Sequence, residues 1–370
     1  MRSTLIKRQL FAGWLGVCLA ACGTDPTDTS PYPEADAQGV DGWQLADATD
    51  RLSQVDGMRG FLVARNGVVV LEEYFNAIGP DSTMGVRSVT KSFTSALIGI
   101  AIAEGFIEST DDTLGKYLVP GVAEQLDPEK AAISIHHLLT MSAGFEWRQG
   151  RWGTDFADWY LSDDHVQFVL DKPLVTTPGT TFAYSDGMAH LASVVLTEAT
   201  GMKADEFAAE HLFPHLGIGE RTWLRGNRGY NFGGVRLHLS LRDMWRFGEL
   251  YLNEGRAGDV RVLPSTWVQR STQAQLGTDG YAPFGPAYGY LWWIGEGAPY
   301  EFYFANGYGG QFIVIVPETR MVVVTQCQPS GYTRDEADTH WYIILSTVVE
   351  RVIPAASAGS SGLWEAPGSR

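Results

Sequence analysis

Val86-Arg87-Ser88-Val89-Thr90-Lys91-Ser92-Phe93 is the stretch on which the fold turns. It predicts the start of a helix, because Phe93, Ala96, Leu97 and Ile100 recur at helical spacing in the segment that runs to Ile107. Ile98 and Ile102 place apolar groups on other faces, so this helix is expected to be buried nearly all round. Ser88 and Lys91 are an odd opening for a core helix. Residues three apart share a face, so Lys91 can reach the Ser88 hydroxyl. A hydroxyl becomes a nucleophile when a base takes its proton. Burial and the positive end of the helix dipole both favour a neutral amine, which predicts Lys91 as that base. The same residues also read as a serine N-cap followed by a surface lysine. The rest of the chain decides.

The chain has 370 residues, 45% hydrophobic and 19% charged, enough to bury a large core. Its formal charge of −16 argues against nucleic acid or an anionic membrane surface as a partner. Arg2, Lys7 and Arg8 precede an apolar run from Leu10 to Ala20, too short to span a bilayer comfortably. The run ends in Leu19-Ala20-Ala21-Cys22-Gly23, which resembles a bacterial lipobox. Residues 1–21 are therefore expected to be a lipoprotein signal peptide. Cys22 is expected to carry the lipid anchor of an exported, periplasmic or cell-surface protein. The alternative is a plain secretory signal. Residues 22–41 are polar and proline-rich and predict a flexible tether. Cys18 lies in the leader and Cys22 at the anchor, so Cys327 is left without a disulfide partner.

Local patterns then predict the elements. Leu45, Ala46, Ala48 and Leu52 suggest an amphipathic helix. Phe61–Ala64, Asn66-Gly67 and Val68–Leu71 suggest a β-hairpin. Ile133–Phe145 predicts a helix closed by Ser-Ala-Gly. The next loop holds Trp147, Trp152, Phe156, Trp159 and Tyr160, which either line a cleft or pack the loop down. Asp163-Asp164-His165 reads as the cap of a helix at Val166–Leu170 rather than as a metal site, and no His-Glu-x-x-His or paired Cys-x-x-Cys is present. Tyr184-Ser185-Asp186 precedes a helix from Met188 to Thr200, and presents a phenol for proton relay or simply a cap with a packed ring. Strands are expected at Tyr288–Ile294, Phe302–Ala305, Phe312–Val316 and Met321–Gln326, with Gly307-Tyr308-Gly309-Gly310-Gln311 between the second and third. A last helix is expected at about Glu336–Val352, and a disordered tail over 355–370.

Three motifs stand in order: Ser88-x-x-Lys91, Tyr184-Ser185-Asp186 and Tyr308-Gly309-Gly310. Together they resemble the serine β-lactamase and penicillin-binding-protein superfamily, in its class C-like branch, over about Trp43 to Val352. The resemblance implies a mixed α/β (α+β) fold, β-lactamase/transpeptidase-like. Its antiparallel sheet, from about 42–90 and 285–354, is flanked by helices, and a helical region covers about 91–284. Residues 42–354 would form this serine hydrolase domain. Ser88 would be the acylated nucleophile, Lys91 its base and Tyr184 the catalytic tyrosine. The backbone N–H groups of Ser88 and Gln311 would form the oxyanion hole. Asp186, Tyr308, Gly309, Gly310 and Trp147 would meet the substrate, a small ester, amide or peptide-like molecule. No cofactor or metal is implied.

Two departures bear on chemistry. Asp186 stands where many relatives have Asn, and an anion there would hold Lys91 charged. Tyr308 replaces a cationic residue, which shifts the expectation from carboxylate-bearing penicillins and peptides toward neutral esters or amides, unless an arginine from elsewhere serves. The competing readings are a β-lactamase or D,D-carboxypeptidase acting on cell-wall material, and an inactive scaffold that binds peptidoglycan or a partner.

Overall fold

The computed structural model describes residues 30–118, 126–149, 155–328 and 333–356. Its centre is an eight-stranded antiparallel sheet made from both ends of the chain. β1 (Met58–Arg65) and β2 (Val68–Tyr74) form the expected hairpin, with Asn66 and Gly67 both at positive φ in the turn. Two short ladders lie between these strands and the rest: β3 (Met84–Gly85) with β4 (His238–Leu239), and β5 (Arg256–Ala257) with β6 (Val260–Arg261). The sheet resumes with β7 (Leu276–Gly277), β8 (Ala287–Tyr288), β9 (Trp293–Gly295), β10 (Phe302–Gly307), β11 (Gln311–Val316) and β12 (Met321–Cys327). Spatial order is β2-β1-β12-β11-β10-β9-β8-β7, so the first hairpin pairs with the last strand. Every residue of β11 and β12 is buried. That explains their unbroken apolar runs, since a strand covered on both faces has no reason to alternate.

Helices supply the two covers. On one face lie α2 (Gly42–Ser53), preceded by a short α1 (Pro33–Ala37), and the C-terminal helix Arg334–Thr347, which runs on through a π-helical turn at Val348–Val352. Ile344 of the C-terminal helix packs beside Gly310, where a Cβ would come within 2.4 Å of it. The other face takes a helix from Leu241 to Leu252, whose Gly248 lets it approach Val322 so closely that an added Cβ would sit 2.6 Å from a valine methyl.

Several expectations are revised. The tether predicted for 22–41 does not extend through its last part: Pro33 opens α1, Ala35 and Val40 are buried, and Val40 bridges to Ala356. Proline at a first helical turn and two apolar anchors suffice to dock the segment. The leader, Cys22 and residues 22–29 lie outside the described residues, as do Trp152 and residues 357–370 of the predicted tail. Ala355 and Ala356 of that tail are placed, Asp41 N–H donating to the Ala355 carbonyl at 2.9 Å. The single strand predicted over Tyr288–Ile294 is a hairpin, Tyr288 pairing with Trp293 around a turn in which Leu291 has φ 60°. Gly289 was the one local hint of the reversal in an otherwise apolar aromatic run. The helix expected over 133–145 is only Ile135–Leu139.

Candidate active site

The nucleophile stretch folds as a 3₁₀ turn, Arg87–Val89, leading into α3 (Thr90–Ala103). Arg87 has φ 53°, a costly conformation for a side chain with a Cβ, and one that marks functional turns. α3 is buried along nearly its whole length, as its composition predicts. Two of its buried hydroxyls are tied to carbonyls of the surrounding loops: Ser92 Oγ donates to Leu291 at 2.8 Å and Thr94 Oγ1 to Gly233 at 2.7 Å. Buried hydroxyls without such partners would destabilise the core. Here they fasten the distant loops to the helix that opens with the site.

Lys91 is 1% exposed and its Nζ has three acceptors: Asp186 Oδ1 at 2.5 Å, Ser88 Oγ at 3.1 Å and the Gly234 carbonyl at 3.1 Å. An ammonium has three N–H donors, so this arrangement satisfies it completely. Burial alone would lower the Lys91 pKa. The attraction of Asp186, then of Tyr184, outweighs it and holds the amine above its ordinary value. The neutral lysine predicted from burial and the helix dipole is therefore not the resting form. The second expectation, that Asp186 would keep Lys91 charged, is the one that operates.

Asp186 is the first residue of a helix running to Thr200, capped by Ser185, whose Oγ accepts the Met188 N–H at 3.2 Å. The cap turns Asp186 inward, toward Lys91. Its second oxygen accepts Gln149 Nε2 at 2.9 Å. The Tyr184 ring lies 4.8 Å from Lys91 Nζ, and its hydroxyl faces Ser88 and Lys91, whose hydrogen bonds would stabilise its anion. Burial raises the Tyr184 pKa all the same, so the group rests as a phenol. Tyr281 and Trp293 stack near it, at 5.6 and 5.7 Å between ring centres.

The cavity above Ser88 has a volume of about 550 Å³ and reaches Asp186 and Tyr308. Tyr308 is 43% exposed at its edge. Gly309 and Gly310 do not line it. They shape the β10–β11 turn at φ 82° and 102°, closed by Gly310 N–H on the Gly307 carbonyl at 3.2 Å. The Gln311 side chain points away to the Cys327 carbonyl. Trp147 is not a lining residue either. It packs against Trp159 and Phe168 and reaches the site only through its Nε1 donation to Gln149 Oε1 at 2.6 Å. Of the loop aromatics, Phe156 lines the cavity while Trp159 is wholly buried, so both readings of that loop hold in part.

Six contributors were not anticipated for the site. Gly234 leaves room for the ion pair, since a Cβ there would fall 2.8 Å from Asp186 Oδ1 and 2.9 Å from Lys91 Nζ and displace one of them. Gln149 orients Asp186. Arg87 and Arg236 line the cavity, with Arg334 and His238. The double glycine at 233–234 was the one signal of close approach in the sequence. The cations had none. Among the described residues, no cluster of three or more His, Cys, Asp or Glu side chains could hold a metal ion.

A fold with this sheet, this buried helix and this Ser–Lys–Tyr meeting point defines a class. The beta-lactamase family model matches residues 45–347, and the chain belongs to that family. Among individual proteins, it is 26% identical to the 6-aminohexanoate-dimer hydrolase of Paenarthrobacter ureafaciens, over 95% of this chain and 92% of that one. The fold matches a putative 6-aminohexanoate-dimer hydrolase from Bacillus anthracis with a TM-score of 0.66 at 23% identity, covering 82% of each chain. It also matches EstCE1, a hydrolase with promiscuous acyltransferase activity, with a TM-score of 0.63 at 17% identity, covering 82% of this chain and 98% of that one.

Proposed function

We propose that the protein is a serine hydrolase of the class C-like branch that cleaves an ester or amide of a small substrate through a Ser88 acyl-enzyme. The observation that carries this reading is the contact of Lys91 Nζ with Ser88 Oγ at 3.1 Å, beside Tyr184 and beneath an open cavity. Ser88 attacks the carbonyl, and its proton passes to the Lys91–Tyr184 pair once that pair has lost one proton. Tyr184 returns a proton to the leaving group, and water then releases the acid. The backbone N–H groups of Ser88 and Gln311 receive the oxyanion, donors of a kind worth about 3–4 kcal/mol in the transition state. The hydrolase named for the 26% identical relative supports an amide or ester bond as the target. The three polar groups kept together favour activity over a silent scaffold.

The test is intact-mass spectrometry after brief mixing with an activated ester and, separately, with a penicillin. A mass increase from the ester that Ser88→Ala abolishes is the expected result. A long-lived penicillin adduct would move the assignment to the penicillin-binding side. No Ser88-dependent adduct with either would sink the acyl-enzyme reading.

A further inference from the structure

The chain carries a formal charge of −16, yet the cavity wall is cationic. Arg87, Arg236, Arg334 and His238 line it, and its one lining acid, Asp186, is already paired with Lys91. Arg334 has Asp338 as a neighbour at 3.9 Å. Arg87 and Arg236 differ: neither has an acidic partner among the described residues.

Backbone geometry sets these two side by side. Gly85 pairs with His238 in the β3–β4 ladder, and Val86 N–H donates to the Leu237 carbonyl at 2.9 Å. The next residue on one segment is Arg87 and the preceding one on the other is Arg236. Both adopt positive φ, 53° and 74°. Left-handed backbone at two neighbouring arginines is a cost the fold carries twice. The Arg236 guanidinium lies over the Tyr160 ring at 4.8 Å, which fixes its plane. Burial and the charge of Arg236 both work against the charge on Arg87, so the two guanidiniums repel each other.

We infer that Arg87 and Arg236 form a receptor for a substrate carboxylate, so the preferred substrates are esters or amides that carry a carboxylate within a few atoms of the scissile carbonyl. Planar guanidinium forks take a carboxylate through paired hydrogen bonds, and an anion between two of them removes their repulsion. Closeness to the carbonyl follows from the chain itself, because Arg87 immediately precedes Ser88. This inference rests on the Ser88 acyl-enzyme reading. It returns to the site the anion recognition that Tyr308 cannot supply.

The experiment compares matched substrates: p-nitrophenyl butyrate against mono-p-nitrophenyl glutarate for the acyl side, and phenyl acetate against 3-acetoxybenzoate for the leaving side. The anionic member of at least one pair is expected to have the higher kcat/KM, by about ten- to a hundredfold. Arg236→Gln should shrink that ratio. Arg236→Lys should retain more of it, and Arg236→Glu should turn the preference toward the p-nitrophenyl ester of 4-aminobutyrate. Melting temperatures check that each variant is folded, and Arg87→Gln gives an independent second variant. Added salt should lower the ratio. A wild-type enzyme that prefers the neutral member of both pairs, or a ratio unmoved in both glutamine variants, overturns the receptor. In that case Ser88→Ala still reports on the acyl-enzyme: loss of turnover on all four esters leaves the hydrolase reading standing, and retained turnover removes it.

Discussion

Two cationic places adjoin the Ser88 site, and they are built in opposite ways. Lys91 is buried, its three donors matched by three acceptors, one of them the carboxylate of Asp186. Arg87 and Arg236 stand at the cavity wall with no acid beside them among the described residues. A buried ammonium with every bond made is fixed in position and resists loss of its proton. An unneutralised pair of guanidiniums at a surface is prepared for something that arrives. The contrast separates machinery from reception: the protein supplies its own anion where a charge must stay put, and leaves it out where the substrate is to bring one.

The comparison breaks most sharply at Lys91. Lys91→Ala leaves Asp186 buried without its cation, which typically costs about 3–5 kcal/mol. Denaturant melts should show that loss, and turnover should fall by about 10²–10⁴-fold, the usual range for a proton-transfer group. A variant with wild-type stability would mean that the pair is more hydrated than its burial shows.

Asp186→Asn gives a subtler effect with a definite sign. Asp186 raises the pKa of both Lys91 and Tyr184, so its removal lets the pair lose a proton at lower pH. The wild-type rate should climb with rising pH, because the resting pair holds its protons. The acidic limb of kcat/KM against pH should move to lower pH in the variant. An unmoved limb would remove Lys91 and Tyr184 from the rate-controlling ionisation. The stability effect runs the other way. A lysine held above its ordinary value stabilises the fold fully below its unfolded pKa of about 10.4, and that contribution is lost as pH rises through the folded value.

The smallest effect lies on the receiving side. Tyr160→Ala removes the ring under Arg236, a contact worth about 0.5–1 kcal/mol at such a site. The preference for carboxylate-bearing esters should fall only a fewfold, with the charge still present. A loss as large as that of Arg236→Gln would show that ring placement, not charge, controls the receptor.

How far these features could be read in the chain follows from the range of the interactions. The Asn66-Gly67 turn, the Ser185 and Asp164 caps and the Ser88–Lys91 spacing depend on neighbours within four residues, and each was legible. Asp164 accepts Val166 and Gln167 N–H at 3.1 Å, as a cap should. The charge state of Lys91 depends on Asp186, 95 positions away, and its third bond on Gly234, 143 away. Spacing carries no information at that distance. Arg87 was in plain view beside Ser88, but its partnership with Arg236 exists only because β3 meets β4. Trp147 misled for the reverse reason: an aromatic on a loop looks like a lining residue until packing shows it turned into the core.

The sheet order has a consequence for how the chain comes into being. β1 is among the first strands to be made and β12 is the last, yet they are central neighbours, with Val63 opposite Val323. During synthesis the opening hairpin must wait, one edge uncovered, until almost the whole polypeptide exists. Such exposed edges are the usual points of misassembly, so newly made chains should depend on holding factors in proportion to that delay. Val40 also bridges Ala356, so in a chain trimmed to residues 40–356 a short peptide could join those two positions. A permutant opened in a surface loop and closed there would make β12 and β1 as consecutive strands with only the covering helices between them, and should fold faster than the natural chain while keeping its sheet.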